Sequence, residues 1–125
     1  RLIFETWSAD SEVDQISSFD IGLMPLPDEA WTRGKCSFKM LLYMSVGIPS
    51  IASPVGMNKD VLGLADLGLP AVSPLDYCDA IVFLTRSKSR RDEQGRAGRL
   101  IAESHFSTKV ITRKLGKILR EASEL

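Results

Sequence analysis

The chain carries no surplus of charge of either sign: its 16 lysines and arginines balance 16 aspartates and glutamates. A protein that neutralises a polyphosphate backbone needs a generally basic surface, so the balance argues against a nucleic-acid partner and makes any anion site local. Cysteine is scarce. Cys36 and Cys78 lie far apart and lack metal-ligand spacing, which argues against a zinc or disulfide framework and for reduced, partly buried thiols of a cytosolic protein. The single histidine, His105, has no acid or nucleophile patterned around it, so a surface role is expected rather than catalysis. Long hydrophobic runs are missing as well. Nothing approaches the roughly 20 apolar residues that span a bilayer, and no signal peptide precedes the first polar residue. The expectation is a cytoplasmic protein without a transmembrane segment or a metal centre.

What is present is enough apolar material for a core: 44% hydrophobic residues in a chain of 125, the length of one domain. Strand and helix patterns alternate along it. Residues 2–6 read as a short apolar strand, with Trp7 closing it and Ser8 to Ser11 turning into a short helix capped by Asp10 or Ser11. Ile21 to Met24 reads as a strand stopped by Pro25 and Pro27, and a loop of about ten residues then runs to Gly34. A helix follows from about Ser37 to Val46, with Phe38, Leu41, Leu42 and Ser45 on one face and Gly47 ending it. Pro49 to Ser53 is a buried strand, Pro54-Val55-Gly56 a tight turn, and Asn58 to Leu64 a short helix. Leu69 to Val72 reads as a further strand, and Pro74 opens a helix to about Thr85. The segments 90–103 and 107–122 are helical, the last with Ile111, Leu115, Ile118, Leu119 and Ala122 on one stripe. Such alternation predicts an α/β, three-layer fold with a parallel sheet of about four strands flanked by helices.

In open α/β sheets, ligands collect beyond the carboxyl ends of the strands. The loop that carries Arg33, Gly34 and Lys35 ahead of a helix is therefore the candidate site. On a helix Lys35, Lys39 and Leu42 would stand at i, i+4 and i+7, placing two ammonium groups at one rim of the apolar stripe near the helix start. Helix amides and a partial positive charge add to them, an arrangement suited to a diphosphate, with Arg33 assisting by a bidentate contact. The same two lysines equally fit snorkelling surface residues beside a core helix. Gly34 permits close backbone approach and Gly56 a positive φ, each of which is also plain turn chemistry. Asn58 and Asp60 fit hydrogen bonds to a hexose, or ordinary helix capping. Trp31 suits stacking on a base or anchoring the loop. The arginines of 86–99 are interleaved with acids, as on a solvated helix face.

Two stretches carry a resemblance. The pattern D-I-G-L-x-P-L-P, followed by G-K-x-x-x-K-x-L-x-Y-M-x-x-G-x-P-x-x-A-S-P-V-G-x-N, resembles the C-terminal domain of family four glycosyltransferases of the GT-B fold. The later GRAGRLIAESHFS and the amphipathic tail look like the helices that close that domain, so the resemblance covers nearly the whole chain. It implies a partial Rossmann-like domain that binds a nucleotide-sugar donor for a retaining hexosyl transfer. No metal or further cofactor is implied, since lysines and amides take over the leaving diphosphate. In that family the diphosphate is held by basic side chains and by amides at the helix start, which here would be Gly34, Lys35, Lys39 and the N–H groups of Cys36 and Ser37. Asp60 falls where an acid after the second glycine-rich turn is usual. Many members carry two glutamates eight positions apart, where this chain has Gly34 and Leu42.

The resemblance begins at the third strand of a six-stranded sheet, so the chain is expected to be truncated at its N-terminal side. The acceptor-binding domain would be its missing partner. Such a piece would be catalytically incompetent alone, with no catalytic residue assignable, and peripheral to a membrane, if at all, only as part of the full enzyme. Its first strand would pair beside Ile21–Met24 or with a second copy, and an exposed edge would favour a homodimer. The alternative class is a noncatalytic α/β module that docks a protein through Trp31 and Arg33. A phosphosugar epimerase would need converging acid–base carboxylates, and no such pair is visible.

Overall fold

The computed structural model describes residues 2–124. Three short strands, β1 (Gly22–Met24), β2 (Ser50–Ala52) and β3 (Gly68–Pro70), form a parallel sheet in the order β1-β2-β3. Gly22, Leu23 and Met24 stand opposite Ser50, Ile51 and Ala52, which in turn face Gly68, Leu69 and Pro70. The helices in chain order are α1 (Glu12–Ser17), α2 (Ala30–Arg33), α3 (Phe38–Ser45), α4 (Met57–Leu62), α5 (Pro74–Arg86), α6 (Lys88–Ile101) and α7 (Thr108–Ser123), with a π turn over Ala102–Phe106 between the last two.

Alternation along β2 sets the layers. Successive side chains of a strand point to opposite faces, so Ala52 joins Met24, Met40, Met44, Val61 and Leu67 beneath α3 and α4, whereas Ile51 joins Ala71, Ala80 and Leu84 beneath α5. Helices thus cover both faces of a parallel sheet, as the expected fold class requires. The strand count is corrected from about four to three. Residues 2–6 form no strand: Leu2 and Phe4 are 86% and 91% exposed, and no neighbouring strand offers the hydrogen bonds that an extended segment needs. The cysteines also depart from expectation. Cys36 on its loop and Cys78 on the outer side of α5 are both exposed free thiols.

Local chemistry explains the helix starts. Ser73 Oγ accepts from the Asp76 N–H (3.2 Å), while Asp76 Oδ2 accepts from the amides of Ser73 (2.7 Å) and Val72 (3.0 Å), and Pro74 occupies the first turn of α5. Those amides hold the Asp76 carboxyl below the ordinary carboxylate range. Ser87 caps α6 by accepting from the Arg90 N–H. At the far end of α3 the Arg99 guanidinium donates to the Ser45 carbonyl, a cation where helix carbonyls are left unpaired. Gly95 of α6 rides directly on the Gly47 carbonyl, a place with no room for a Cβ, so α6 lies hard against the end of α3.

Candidate functional site

The segment between β1 and α3 does not run as one loose loop. Thr32 is its internal anchor: it is buried, its hydroxyl donates to the Pro27 carbonyl, and it accepts from the Glu29 N–H at 3.3 Å. This winds residues 30–33 into α2, a turn that the Pro-rich composition hides. Trp31, on the same turn, is 80% exposed and anchors nothing. Arg33 Nε donates to Asp28 Oδ1 at 2.7 Å, and this bond lowers the Asp28 carboxyl from its usual range. Beneath the turn, Gly56 has φ 53°, and a Cβ there would overlap the Arg33 carbonyl. Gly56 therefore supports the basic loop from below. Gly34 carries no such constraint, with φ −83° and only the Trp31 carbonyl 3.5 Å from an added Cβ.

Lys35 and Cys36 are still outside the helix, which starts at Phe38. The helical i, i+4 spacing of Lys35 and Lys39 is accordingly corrected: between them Ser37 turns the chain through the left-handed region (φ 57°, ψ 24°). That conformation is uncommon for a residue with a Cβ. A buried clamp holds it. Ser37 Oγ donates to Asn58 Oδ1 at 2.6 Å, and Asn58 Nδ2 donates to the Ser53 carbonyl at 3.0 Å. Both Ser37 and Asn58 are almost wholly buried, at 0% and 1% exposure. The side chain of Asn58 is thus engaged at both ends within the scaffold.

The turn brings Gly34, Lys35, Cys36 and Lys39 back together on one cleft of about 530 Å³, floored by Met24 and Pro25 at the carboxyl end of β1. Among the described residues, the N–H groups of Cys36, Ser37, Phe38 and Lys39 have no hydrogen-bond partner in the protein. Lys35 and Lys39 therefore line one cleft at the crest of the sheet together with Cys36 and Phe38, whose amides are unpaired, a combination that attracts an anion. Arg33, Gly56, Asn58 and Asp60 do not line this cleft. Asp60 is exposed in α4, Arg33 is turned to Asp28, and Gly56 and Asn58 act from beneath.

Two features were not legible in the sequence. Ser53 Oγ accepts from the Leu26 N–H and lies 3.0 Å from the Tyr77 hydroxyl, cross-bracing β1, β2 and α5 at the crest. A second, mostly apolar cleft of about 520 Å³ lies on that side, between Leu23, Pro25, Val72, Tyr77 and Ile81. Both depend on contacts between residues more than twenty positions apart, for which neither motif nor periodicity gives a signal. His105 is exposed in the π turn and paired only with the adjacent Ser104 hydroxyl (2.8 Å). Among the described residues, no group of three His, Cys, Asp or Glu side chains converges as metal ligands, and no helix is long and apolar enough to cross a membrane. No family model matches the chain, and no curated protein or solved structure does either.

Proposed function

We propose that the chain is the donor-binding part of a retaining, cytoplasmic glycosyltransferase of GT-B architecture, and that its lysine-lined cleft receives the diphosphate of a nucleotide sugar. The observation that carries this reading is the convergence of Lys35, Lys39 and the unpaired amides of α3 on one cleft at the sheet's carboxyl edge. Lysines serve as mobile point charges, and the fixed amides add directed donors. Together they stabilise the negative charge that grows on a departing nucleoside diphosphate, with no cation required. The left-handed Ser37 fits this reading, because a strained residue held by a buried clamp is a common mark of a pre-organised site. Arg33 keeps both terminal guanidinium nitrogens free of Asp28, and the exposed Asp60 carboxylate suits the hydroxyls of a hexose.

The three strands would then be part of a larger doubly wound, Rossmann-like sheet. The open edge of β1, where Leu23 is 42% exposed, would receive the missing strands or a second copy. Transfer itself belongs to the assembled enzyme with its acceptor-binding domain. Calorimetric titration of the chain with UDP, GDP and ADP tests the proposal. One of them binds saturably, and Lys35→Ala plus Lys39→Ala weakens it by about tenfold or more, about 1.4 kcal/mol, with the melting temperature unchanged. Binding that is absent, or indifferent to both lysines, overturns it.

A second reading rests on the 80% exposure of Trp31 beside Arg33. An exposed tryptophan next to an arginine is a typical energetic centre of a protein interface. In that case Trp31→Ala abolishes partner capture while nucleotides show no saturable binding.

A further inference from the structure

Helix α7 is the longest helix of the fold, and its apolar side is left uncovered. Ile111, Leu115, Ile118 and Leu119 are 45% to 60% exposed, and the main packing of the helix is with the π turn at its start. At about 100° per residue these four side chains and Ala122 share one stripe roughly 100° wide. The opposite sector holds Lys109, Arg113, Lys114, Lys117 and Arg120 with Glu121, the half-buried Val110 and, at the helix end, Glu124. Five cations against two acids is a local excess in a chain whose charges cancel overall.

Two occupants of the stripe are disfavoured by its dimensions and composition. A second copy laid along it would gain an area about 24 Å long and about 10 Å wide, roughly 500 Å² in total, against the ~1,200 Å² of a stable interface. Insertion across a bilayer is ruled out for α7, because the helix is neither long nor apolar enough. Low average hydrophobicity with an exposed apolar stripe set opposite a basic sector is instead the signature of a helix lying in a membrane interface.

We infer that α7 docks on an anionic lipid surface, with Ile111, Leu115, Ile118 and Leu119 in the acyl boundary and its lysines and arginines reaching headgroup phosphates. Lys114 borders the stripe next to Ile118, and long basic stems can bend toward the headgroups while their methylenes stay in apolar surroundings. The basic charge supplies selectivity for anionic lipid, and the stripe supplies retention. This inference is independent of what occupies the cleft.

The test is cosedimentation of the 125-residue chain with vesicles of phosphatidylcholine mixed with phosphatidylglycerol, and with pure phosphatidylcholine. Binding to the anionic vesicles is expected to be at least about tenfold stronger and to weaken with added salt. Leu115→Ser with Leu119→Ser removes retention. Arg113→Gln, Lys114→Gln and Lys117→Gln together erase the preference for anionic lipid. All five positions are exposed, so thermal melting followed by circular dichroism is expected to be unchanged. No retention on anionic vesicles, equal retention on both compositions, or retention indifferent to the leucine pair overturns the inference. So does a dimer, seen by sedimentation equilibrium, that the leucine pair abolishes while vesicles retain nothing.

Discussion

Replacing Asn58 by alanine tests whether the buried clamp, rather than any contact with a ligand, is what that residue contributes. In the native protein it accepts from Ser37 Oγ at 2.6 Å and donates to the Ser53 carbonyl at 3.0 Å, at 1% exposure. Each hydrogen bond contributes about 1 kcal/mol, and the Ser37 hydroxyl, left buried without an acceptor, costs a further ~1 kcal/mol or more. The expected loss is roughly 2–4 kcal/mol, a large share of a typical domain's total of about 5–15. With a urea slope of about 2 kcal/mol/M, the unfolding midpoint falls by about 1–2 M. Ser37→Ala alone is expected to cost less, since it deletes one bond and leaves Asn58 Oδ1 unpaired but keeps the Asn58–Ser53 bond. In the double variant the two effects overlap, with a coupling of about 1 kcal/mol. If Asn58→Ala leaves the midpoint within about 0.3 M of the native value, or if the two single losses simply add, the clamp does not hold the left-handed turn and the reasoning fails.

Gly56→Ala is expected to destabilise by about 2 kcal/mol or more, because φ 53° and the Arg33 carbonyl both oppose a Cβ, whereas Gly34→Ala changes the melting temperature little. Ser50→Ala is expected to be neutral or slightly stabilising in urea titrations, since the buried Ser50 hydroxyl has no partner among the described residues. Ser73→Ala removes the cap of α5 and is expected to cost about 1 kcal/mol by the same assay. Asp28 and Asp76 both have folded-state pKa values below their unfolded ones, so their stabilisation is complete above the ordinary carboxylate range and is lost as pH falls through the folded values. Acid unfolding is therefore expected to shift to higher pH in Asp76→Asn, followed by circular dichroism.

Much of this fold was readable because its signals are local. Pro74 after Ser73, the apolar periodicity of α3 and the short apolar runs at 21–24 and 49–53 each depend on neighbours within one or two turns. The parallel arrangement followed from their alternation. The strand expected at residues 2–6 failed because a strand needs a partner, and periodicity alone does not supply one. At the site, the basic residues were visible but their arrangement was not. Lys35 and Lys39 meet at the cleft through the turn at Ser37, held by Asn58 and Ser53 from later in the chain, and not through helical spacing. A pattern that counts residues cannot see a clamp that spans 21 of them. For the same reason Gly56, legible as a turn residue, showed its supporting role under Arg33 only in three dimensions.

Helix α3 is eight residues long, a rod of about 12 Å. Its head forms the rim of the cationic cleft, and its body packs against the π turn from which α7 departs. The lever between the two surfaces is short and stiff, welded near its tail to α6 by the Gly95–Gly47 contact and by Arg99. Tilting that rod at one end displaces the other end as well. Whatever settles at its head is thus mechanically within one helix length of whatever settles on the tail of the chain.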